Sequence, residues 1–319
     1  MYIIPESLIV DLVSAEDAFE AMRGCFAAMA DGDAYNFPVI REALGEGRQY
    51  GFKSGFDRAG AVMGVKSGGY FPGNAARGLI NHQSCVLLFD PETGRPTAMV
   101  GGNLLTALRT AAASALSIDQ LARPDAQVLG MVGAGHQSAF QLRAALRVRK
   151  FTRVLGWNRN PDRLSRLAEV CAEAGVEFTP VDLAAMQEAD VIITITSSNA
   201  ASLLADHVSA GCHISAMGTD TIGKQEIDPA LFARAAVFTD EVAQSVTIGE
   251  AQHAVAQGLI AREDITPLGA VVTGAAKGRA SPDQITIFDG TGVGLQDLAV
   301  AQTALSRARA HGLGSEVVF

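Results

Sequence analysis

The spacing of hydrophobic and polar residues changes about one third of the way along the chain. Residues 35–102 contain short alternating runs separated by turn residues, among them Tyr50–Phe56, Val62–Tyr70, Ile80–Phe89 and Pro96–Gly101. Alternation with a period of two places apolar side chains on one face of a strand. The pattern predicts an antiparallel sheet built from hairpins.

From residue 127 onward, short apolar runs alternate with amphipathic segments of helical period. Apolar runs bounded by helices are typical of a parallel sheet that is covered on both faces. The predicted strands are 128–132, 153–157, 191–196, 213–217, 236–239 and 285–288. Six such strands predict a doubly wound Rossmann domain, so the fold class is α/β.

Two predicted helices mark the domain limits. An Ala-rich helix runs from Leu104 to Leu121, just before Arg123-Pro124, and a last helix runs from about Leu295 to Ala310. Proline disfavours a helix at the residue before it. We expect residues 1–122 to form an α+β domain with an antiparallel sheet, residues 123–292 to form the Rossmann domain, and residues 293–319 to return to the first domain.

Composition narrows the function classes. The chain of 319 residues suits two domains, and 48% hydrophobic content with 33 glycines fits a compact α/β protein. A net charge of −9 argues against a nucleic-acid partner, because a protein that follows phosphates needs a positive surface. Neither a signal sequence nor a membrane span of roughly 20 apolar residues is found. We expect a cytoplasmic protein without a metal site, whose four widely spaced cysteines are small buried residues.

A dinucleotide fingerprint follows the first strand of the second domain. It reads Gly133-Ala134-Gly135-His136-Gln137-Ser138 and opens a helix. Gly133 permits the tight turn, Gly135 lets a pyrophosphate approach backbone N–H groups, and the helix from Gln137 presents its positive end. This context predicts dinucleotide binding.

The segment after the second strand leaves the choice of cofactor open. It reads Trp157-Asn158-Arg159-Asn160, without the acid that commonly binds the ribose of NAD. Asn158 can bond the ribose hydroxyl of either cofactor, and Arg159 is either a partner for a 2′-phosphate or a solvated side chain. Both NADH and NADPH therefore fit this segment.

Arg109 lies in a helix so apolar that most of its surface must be buried. A buried guanidinium needs an anionic partner, because an unpaired buried charge costs several kcal/mol. The partner is either an internal Asp or Glu or a substrate carboxylate. We favour the substrate, because the planar guanidinium matches a carboxylate.

The hairpin register predicts a pair of facing lysines. If the turn centres on Ala59-Gly60, Lys53 lies opposite Lys66 and Gly55 opposite Gly64 on the same face. Like charges directly opposite destabilise a sheet unless an anion lies near them. We expect this face to bind an anionic ligand, with the glycines leaving space for it; the alternative is an exposed Lys53 in a register shifted by one. The other face is the predicted core and carries Phe52, Phe56, Met63 and Val65.

Two further residues are candidates for the chemistry. Asp220 follows a predicted parallel strand, at the edge where open α/β sheets bind ligands, and Lys224 follows it closely. A turn-capping aspartate is the alternative. His82 could donate to a substrate, although a lone strand histidine is more often structural.

These motifs together resemble the ornithine cyclodeaminase and μ-crystallin family over nearly the whole chain. The resemblance is carried by Lys66, the run Arg109–Ala115, the fingerprint, Met217–Asp220 with Gly223–Glu226, and Phe288–Gly292 with Gln296-Asp297. It implies a homodimer in which the N-terminal domain, joined by the C-terminal helix, binds the substrate and supports dimerisation, with the Rossmann domain inserted between.

The resemblance also implies roles for single residues. Arg41, Lys66 and Arg109 would hold the substrate carboxylate, and Asp220 would act at the reacting nitrogen. The residues implied near the cofactor are Thr110, Gln137, Lys224, Thr291 and Gly292. Our predicted cofactor-binding set also includes Gly133, Gly135, His136, Asn158, Arg159, Thr196, Ser197 and Met217.

Members of the family cyclise ornithine, dehydrogenate alanine, reduce cyclic ketimines or reduce iminosuccinate to aspartate. A diamino substrate needs an acidic partner, whereas the predicted face offers Lys53 and His82, which suit a second carboxylate. In its segments Gly68-Gly69-Tyr70 and Ile80-Asn81-His82-Gln83-Ser84, the chain most resembles the branch that reduces iminosuccinate with NADH. We therefore expect a nicotinamide-dependent imine reductase with Lys66 and Asp220 as catalytic residues. The alternatives are the other three reactions and a protein that only binds the cofactor.

Ile222 stands where the family usually has proline, which puts the shape of that loop in doubt.

Overall fold

The computed structural model describes residues 1–318 and divides into two compact units. Unit 1 contains Met1–Arg109 and the chain from Val293 onward, and unit 2 contains Thr110–Gly292. The division between residues 109 and 110 falls inside a helix that both units share. The expected division between residues 122 and 123 corresponds to the end of that helix.

Eighteen strands and nine α-helices, connected by short 3-10 turns, occupy the described residues 1–318. In chain order the strands are β1 (Tyr2–Ile4), β2 (Ala34–Asn36), β3 (Ile40–Gly45), β4 (Arg48–Asp57), β5 (Val62–Tyr70), β6 (His82–Phe89), β7 (Pro96–Gly101), β8 (Val128–Val132), β9 (Arg153–Trp157), β10 (Glu177–Pro180), β11 (Val191–Thr194), β12 (Asn199–Leu203), β13 (His213–Ala216), β14 (Gln225–Ile227), β15 (Ala235–Thr239), β16 (Ile265–Pro267), β17 (Ile285–Asp289) and β18 (Ser315–Glu316). The helices are α1 (Ile9–Leu12), α2 (Ala15–Ala30), α3 (Asn103–Leu121), α4 (Ser138–Val148), α5 (Ser165–Ala174), α6 (Val242–Ile248), α7 (Ala251–Ala256), α8 (Leu268–Val272) and α9 (Gly294–His311). None of these helices combines the length and hydropathy that a bilayer crossing requires.

Unit 1 is built on an eight-stranded mixed sheet. Its spatial order is β18-β1-β7-β6-β5-β4-β2, and β3 is a further partner of β4. All pairs are antiparallel except β1 with β7. The predicted hairpin register is confirmed, because Lys53 lies opposite Lys66 and Gly55 opposite Gly64.

The prediction of which sheet face forms the core is wrong. The face that carries Lys53 and Lys66 is buried, and α9 packs on it. Leu295 and Leu298 of α9 fill the space over Gly55 and Gly64, so these glycines make room for a helix and not for a ligand. The opposite apolar face is partly exposed; Phe52, for example, is 40% exposed.

Unit 2 is built on eight parallel strands in the order β10-β9-β8-β11-β13-β17-β15-β16. The order runs outward from β8 in both directions, so the sheet is doubly wound and its switch point lies between β8 and β11. All six predicted strands are present. The sequence pattern missed the edge strands β10 and β16, which are short and end in proline. The carboxyl ends of the parallel strands meet at one edge, where ligands bind in this fold.

Candidate active site

Three basic residues of unit 1 lie on one face of its sheet. Lys53 and Lys66 face each other across β4 and β5 and are 7% and 6% exposed. Arg41 on β3 pairs with Gly51, which lies opposite Gly68. Because strand residues two apart share a face, Arg41 is on the lysine face, in the neighbouring row. The two glycines of that row add no side chain to the face beside the cations.

Arg109 in α3 belongs to the same cation cluster. Its Nε donates to Asp297 Oδ1 at 3.1 Å, and its Nη1 donates to Gln296 Oε1 at 3.0 Å. Lys66 Nζ lies 2.7 Å from Asp297 Oδ2. One fully buried carboxylate therefore pairs with two buried cations. The sequence left two possible partners for Arg109, an internal acid and a substrate carboxylate, and favoured the second. The structure shows an internal acid, Asp297, which was not predicted to be that partner.

Burial controls the charges in this cluster. It lowers the pKa of Lys66 from 10.5 to about 8, while Asp297 opposes the shift and Arg109 and Arg41 add to it. Burial raises the pKa of Asp297, but Arg109 and Lys66 outweigh this effect and the net pKa is lowered. Asp297 is therefore ionised at neutral pH, and Lys66 is charged below about pH 8. Positive charge dominates the cluster, which suits an anionic ligand.

His82 is the first residue of β6 and pairs with Tyr70 at the end of β5. In this register His82 faces the same side as Lys66, four residues further along the strand. That separation corresponds to about 13 Å of strand. The partly exposed His82 thus shares the cationic face but lies well away from the lysine pair.

The fingerprint loop between β8 and α4 fits a dinucleotide phosphate. Gly133 has φ +113°, and a Cβ there would lie 2.5 Å from Ile195 O. A Cβ on Gly135 would meet no atom within 4 Å, so the space over it is open. Helix α4 begins at Ser138 without a side-chain cap, and within residues 1–318 the buried Gln137 Oε1 has no hydrogen-bond partner. Open space, uncapped N–H groups and an unsatisfied amide oxygen are features that a bound pyrophosphate uses.

Asn158 joins the fingerprint loop to the end of β9. Its Oδ1 accepts from Ala134 N–H at 3.0 Å, and its Nδ2 donates to Asn160 O at 2.7 Å. Arg159 and His136 are exposed at the same sheet edge, and burial of part of the imidazole lowers the pKa of His136. A neutral amide therefore occupies the place where an acid commonly binds the ribose of NAD.

The other predicted cofactor residues follow strands of the parallel sheet, with one exception in α3. They are Thr196 and Ser197 after β11, Met217 after β13, Thr291 and Gly292 after β17, and Thr110 in α3. Since parallel strands end at one edge, the fold brings those that follow strands to the carboxyl edge of the sheet. The buried Thr110 is the first residue of unit 2.

Asp220 lies four residues beyond β13 and is partly exposed. Lys224 Nζ is 3.1 Å from Asp220 Oδ1 and donates to Gly218 O at 3.1 Å. Thr221 Oγ1 donates to the same Asp220 oxygen at 3.3 Å. The carboxylate is therefore compensated by a neighbouring cation. Ile222, at the family's usual proline position, is 78% exposed in this loop.

Several buried acids that were not among the predicted site residues lie near this sheet edge. Asp240 accepts from the N–H groups of Thr291 and Gly292 at 3.2 and 2.7 Å. Asp289 accepts from Glu250 N–H at 3.0 Å. Asp240 therefore fixes the segment after β17, which carries two predicted cofactor residues, and Asp289 holds the residue before α7.

Glu226 holds two other segments of the same edge. It accepts from Thr194 Oγ1 at 2.8 Å and from the N–H groups of Thr196 and Gly218 at 2.5 and 2.7 Å. Its own N–H donates to Glu250 at 2.6 Å. Glu226 thereby ties the segment after β11 to the segment that leads to Asp220. The acid stood in a quoted motif, but its long-range partners leave no signal in the sequence.

Burial raises the pKa of three acids at this edge, Asp289, Glu226 and Glu250. Asp289 reaches about 7, and the pKa of Glu226 is also raised. Glu250 is raised well above its usual range by burial, with Glu226 and Asp289 adding repulsion. Within residues 1–318, no three His, Cys, Asp or Glu side chains are arranged to hold a metal ion.

The chain is similar to known proteins over nearly its whole length. Iminosuccinate reductase of Paracoccus denitrificans (strain Pd 1222) is 59% identical over 319 residues, which cover 99% of each chain. The crystal structure of the Paracoccus denitrificans enzyme in complex with NAD+ matches with a TM-score of 0.95 and 58% identity, covering 100% of this chain and 99% of that chain. An archaeal alanine dehydrogenase dimer with bound NAD matches with a TM-score of 0.94 and 31% identity, with coverage of 100% and 99%.

The family assignment rests on nearly the whole chain. The model of the ornithine cyclodeaminase/mu-crystallin family matches residues 9–312. This range includes the cation cluster of unit 1, the fingerprint of unit 2 and the start of α9 that supplies Asp297. The chain belongs to the ornithine cyclodeaminase/mu-crystallin family.

Proposed function

We propose that this chain is an NAD-dependent imine reductase that reduces iminosuccinate, a dicarboxylic imino acid, to L-aspartate. The observation that carries the proposal is the buried cation cluster around Lys66 and Arg109, in a chain 59% identical to iminosuccinate reductase. Such a cluster suits a small anion, and the excess of cations suits two carboxylates better than one.

Arg41, Lys66 and Arg109 hold the α-carboxylate in this proposal. The guanidinium groups offer paired donors, and the Lys66 ammonium adds a point charge. Lys53 binds the β-carboxylate, because it lies directly opposite Lys66 on the same face. His82, about 13 Å further along the strand, is the second candidate for that contact.

The carboxyl edge of unit 2 holds the cofactor. Backbone N–H groups at Gly135 and the start of α4 bind the pyrophosphate, while Thr291 and Gly292 contribute the segment fixed by Asp240. NADH supplies the hydride when bound. Two solved relatives contain NAD, which supports NADH over NADPH for this chain.

Asp220 interacts with the protonated imine nitrogen. As hydride reaches the imine carbon, the C=N electron pair moves to nitrogen, which keeps its proton and becomes the amine. A carboxylate beside the nitrogen keeps the imine protonated, which is the form that accepts hydride, and orients its carbon. Lys224, 3.1 Å from Asp220, compensates the carboxylate in the absence of substrate.

The test follows nicotinamide absorbance with purified protein, oxaloacetate and ammonium, with NADH and NADPH in parallel. Pyruvate with ammonium, a cyclic ketimine and ornithine are the competing substrates. We expect fast oxidation of NADH with oxaloacetate. If only pyruvate, the ketimine or ornithine were turned over, the assignment of iminosuccinate as the substrate would be wrong. If the protein bound the cofactor tightly but turned over none of these substrates, it would be a cofactor-binding protein and not an enzyme of this type.

Substitutions of single residues test which side chains take part in the reaction and in substrate binding. We expect Asp220→Asn and Lys66→Ala to lose about 100-fold or more of kcat/KM while NADH still binds. Lys53→Met is expected to impair oxaloacetate more than pyruvate, whereas Lys150→Met, at an exposed lysine of unit 2, changes neither. Wild-type turnover in Asp220→Asn would remove this residue from the mechanism.

We also propose a homodimer that forms through the partly exposed apolar face of the unit 1 sheet. Val65, Leu87 and Met99 form one row of this face, and the exposed fractions of Met99 and Phe52 are both 40%. A contiguous apolar face is typical of a subunit interface, and a structural relative is described as a dimer. Light scattering is expected to give a dimer for the wild type and for Val10→Glu, and a monomer for Met99→Glu. A dimeric Met99→Glu protein would exclude this face.

The proposed cellular location is the cytoplasm. Cys25, Cys171 and Cys212 are buried, and the four cysteines are free thiols. Unpaired buried thiols are typical of a reducing compartment. Cell fractionation with an antibody to the chain tests this; recovery in a membrane or exported fraction would contradict it.

A further inference from the structure

Asp297 is the acid around which the unit 1 cations are arranged. It lies in the first turn of α9 and is fully buried. Its two oxygens take different cations: Oδ2 lies 2.7 Å from Lys66 Nζ, and Oδ1 lies 3.1 Å from Arg109 Nε. Gln296, the preceding residue, accepts from Arg109 Nη1 at 3.0 Å. A single turn of α9 therefore fixes both cations.

The position of that turn is itself tightly fixed. A Cβ on Gly294 would lie 2.6 Å from Ser54 N, so the helix start touches the backbone of β4. Leu295 N–H donates to Asn36 Oδ1 at 3.1 Å. Leu298, which follows Asp297 in the chain, packs over Gly64 of β5. The carboxylate cannot move without repacking the helix on the sheet.

Three charged groups shift the pKa of Lys66 in known directions. Asp297 from α9 favours the ammonium, whereas Arg109 from α3 and Arg41 from β3 oppose it. Lys53 faces Lys66 from β4, and β6 presents the uncharged Val86. Burial lowers the pKa of Lys66 to about 8 in spite of Asp297. Loss of Asp297 would remove an anion that favours the ammonium and would lower that pKa further.

We propose that Asp297 is a positioning residue for substrate binding: it keeps Lys66 protonated and holds Arg109 through Nε and Nη1, so that a substrate carboxylate meets charged donors at fixed places. The proposal rests on the proposed function for the identity of the substrate, but it applies to any carboxylate that binds this cluster. Asp297 acts through Lys66 and Arg109 and does not itself react.

The nearly isosteric variant Asp297→Asn tests the proposal through the pH profile of KM. At about pH 8 we expect KM for the imine to rise about tenfold or more, because one charge-assisted contact is lost. Towards about pH 6 the increase shrinks, since Lys66 regains its proton there. NADH affinity, read from the emission of Trp157 in unit 2, stays within about twofold. A KM increase that is equal at all pH values, or no increase, would overturn the proposal.

Two further variants separate charge from packing. In Lys66→Arg/Asp297→Asn the guanidinium stays protonated, so the pH dependence of KM is expected to disappear. Asp297→Glu retains the negative charge but moves it by one methylene group. We expect KM to be higher at every pH, while the pH above which KM increases stays near 8. If the pH at which KM begins to rise were shifted in Asp297→Glu by as much as in Asp297→Asn, the charge argument would be contradicted. If the Asp297→Asn protein does not fold, Asp297→Glu still tests the proposal.

Asp17→Asn is the matched control. Asp17 is another unit 1 acid that pairs with α9, through Arg307 at 2.5 Å, but it lies outside the cation cluster. We expect a loss of stability without a change in the pH profile; a shifted profile in this variant would overturn the assignment to Asp297.

The substrate assignment is tested separately by the wild type. If another imino acid is the substrate, the same pH series is run with it. If no imine turns over, calorimetry with succinate at the same pH values replaces KM, and unchanged succinate affinity in Asp297→Asn would overturn the proposal.

Discussion

Replacing Gly64 with alanine is expected to weaken unit 1, because α9 packs directly over this residue. A Cβ on Gly64 would lie 2.8 Å from Leu298 Cδ2 and 3.1 Å from Leu88 Cδ2, and it would also meet the Leu87 carbonyl oxygen. Over-packing costs about 1–3 kcal/mol. Since one contact is a backbone atom that cannot turn aside, we expect about 2–3 kcal/mol of lost stability.

Gly24→Ala provides a control with the same chemical change. Gly24 is exposed in the middle of α2, and a Cβ there would meet nothing within 4 Å. In a helix interior alanine is more favourable than glycine by about 1 kcal/mol. The two variants are therefore expected to shift stability in opposite directions, about 3–4 kcal/mol apart.

Urea unfolding measures both variants, and the sequence supplies separate reporters. The four tyrosines, Tyr2, Tyr35, Tyr50 and Tyr70, belong to unit 1, and the single tryptophan, Trp157, belongs to unit 2. The tyrosine midpoint should fall for Gly64→Ala and rise for Gly24→Ala. Because Asp297 precedes Leu298, KM for the imine should also rise in Gly64→Ala.

A Gly64→Ala midpoint equal to or above that of the wild type would refute the packing argument. It would mean that α9 does not press on this face, and the position of Asp297 would lose its support. A fall in both variants would show that alanine disfavours unit 1 for another reason.

Three further predictions concern pH, cofactor choice and the edge of unit 2. Above about pH 8, KM should rise about tenfold per pH unit, because Lys66 loses the proton that it holds below its pKa; a flat profile would contradict this. Asn158→Asp should weaken NADPH more than NADH in fluorescence titrations, since a carboxylate repels the 2′-phosphate; equal losses would remove Asn158 from cofactor choice. Asp240→Ala leaves the buried N–H groups of Thr291 and Gly292 unpaired and should cost about 2–4 kcal/mol in urea unfolding, with weaker NADH binding; unchanged binding would separate this segment from the cofactor.

The local pattern of apolar and polar residues was sufficient to predict most strands and helices and the register of the hairpin formed by β4 and β5. The apolar runs of β8 and β9 stand out because a strand covered on both faces needs apolar side chains throughout. The hairpin register followed from its turn, because every pair along two antiparallel strands is fixed once one pair is known. Arg109 was recognisable as buried since its neighbours along the helix are small or apolar.

The partners of those residues depend on contacts that are distant in sequence. Asp297 meets Arg109 across 188 positions, and nothing near either residue indicates the other. The apolar side chains of β4 and β5 suggested the wrong core face, because the choice depends on where α9 packs. Edge strands such as β10 were missed, since a short strand that ends in proline has little alternation to detect.

By itself, the sequence determined a doubly wound nucleotide domain, a strand pair with facing lysines and a buried arginine, because each depends on neighbouring residues. Only the tertiary structure decided which sheet face is buried, which acid balances the cations and how Glu226 and Asp240 hold the sheet edge. A buried charge is tolerated only with a partner, and packing of elements far apart in the chain selects that partner.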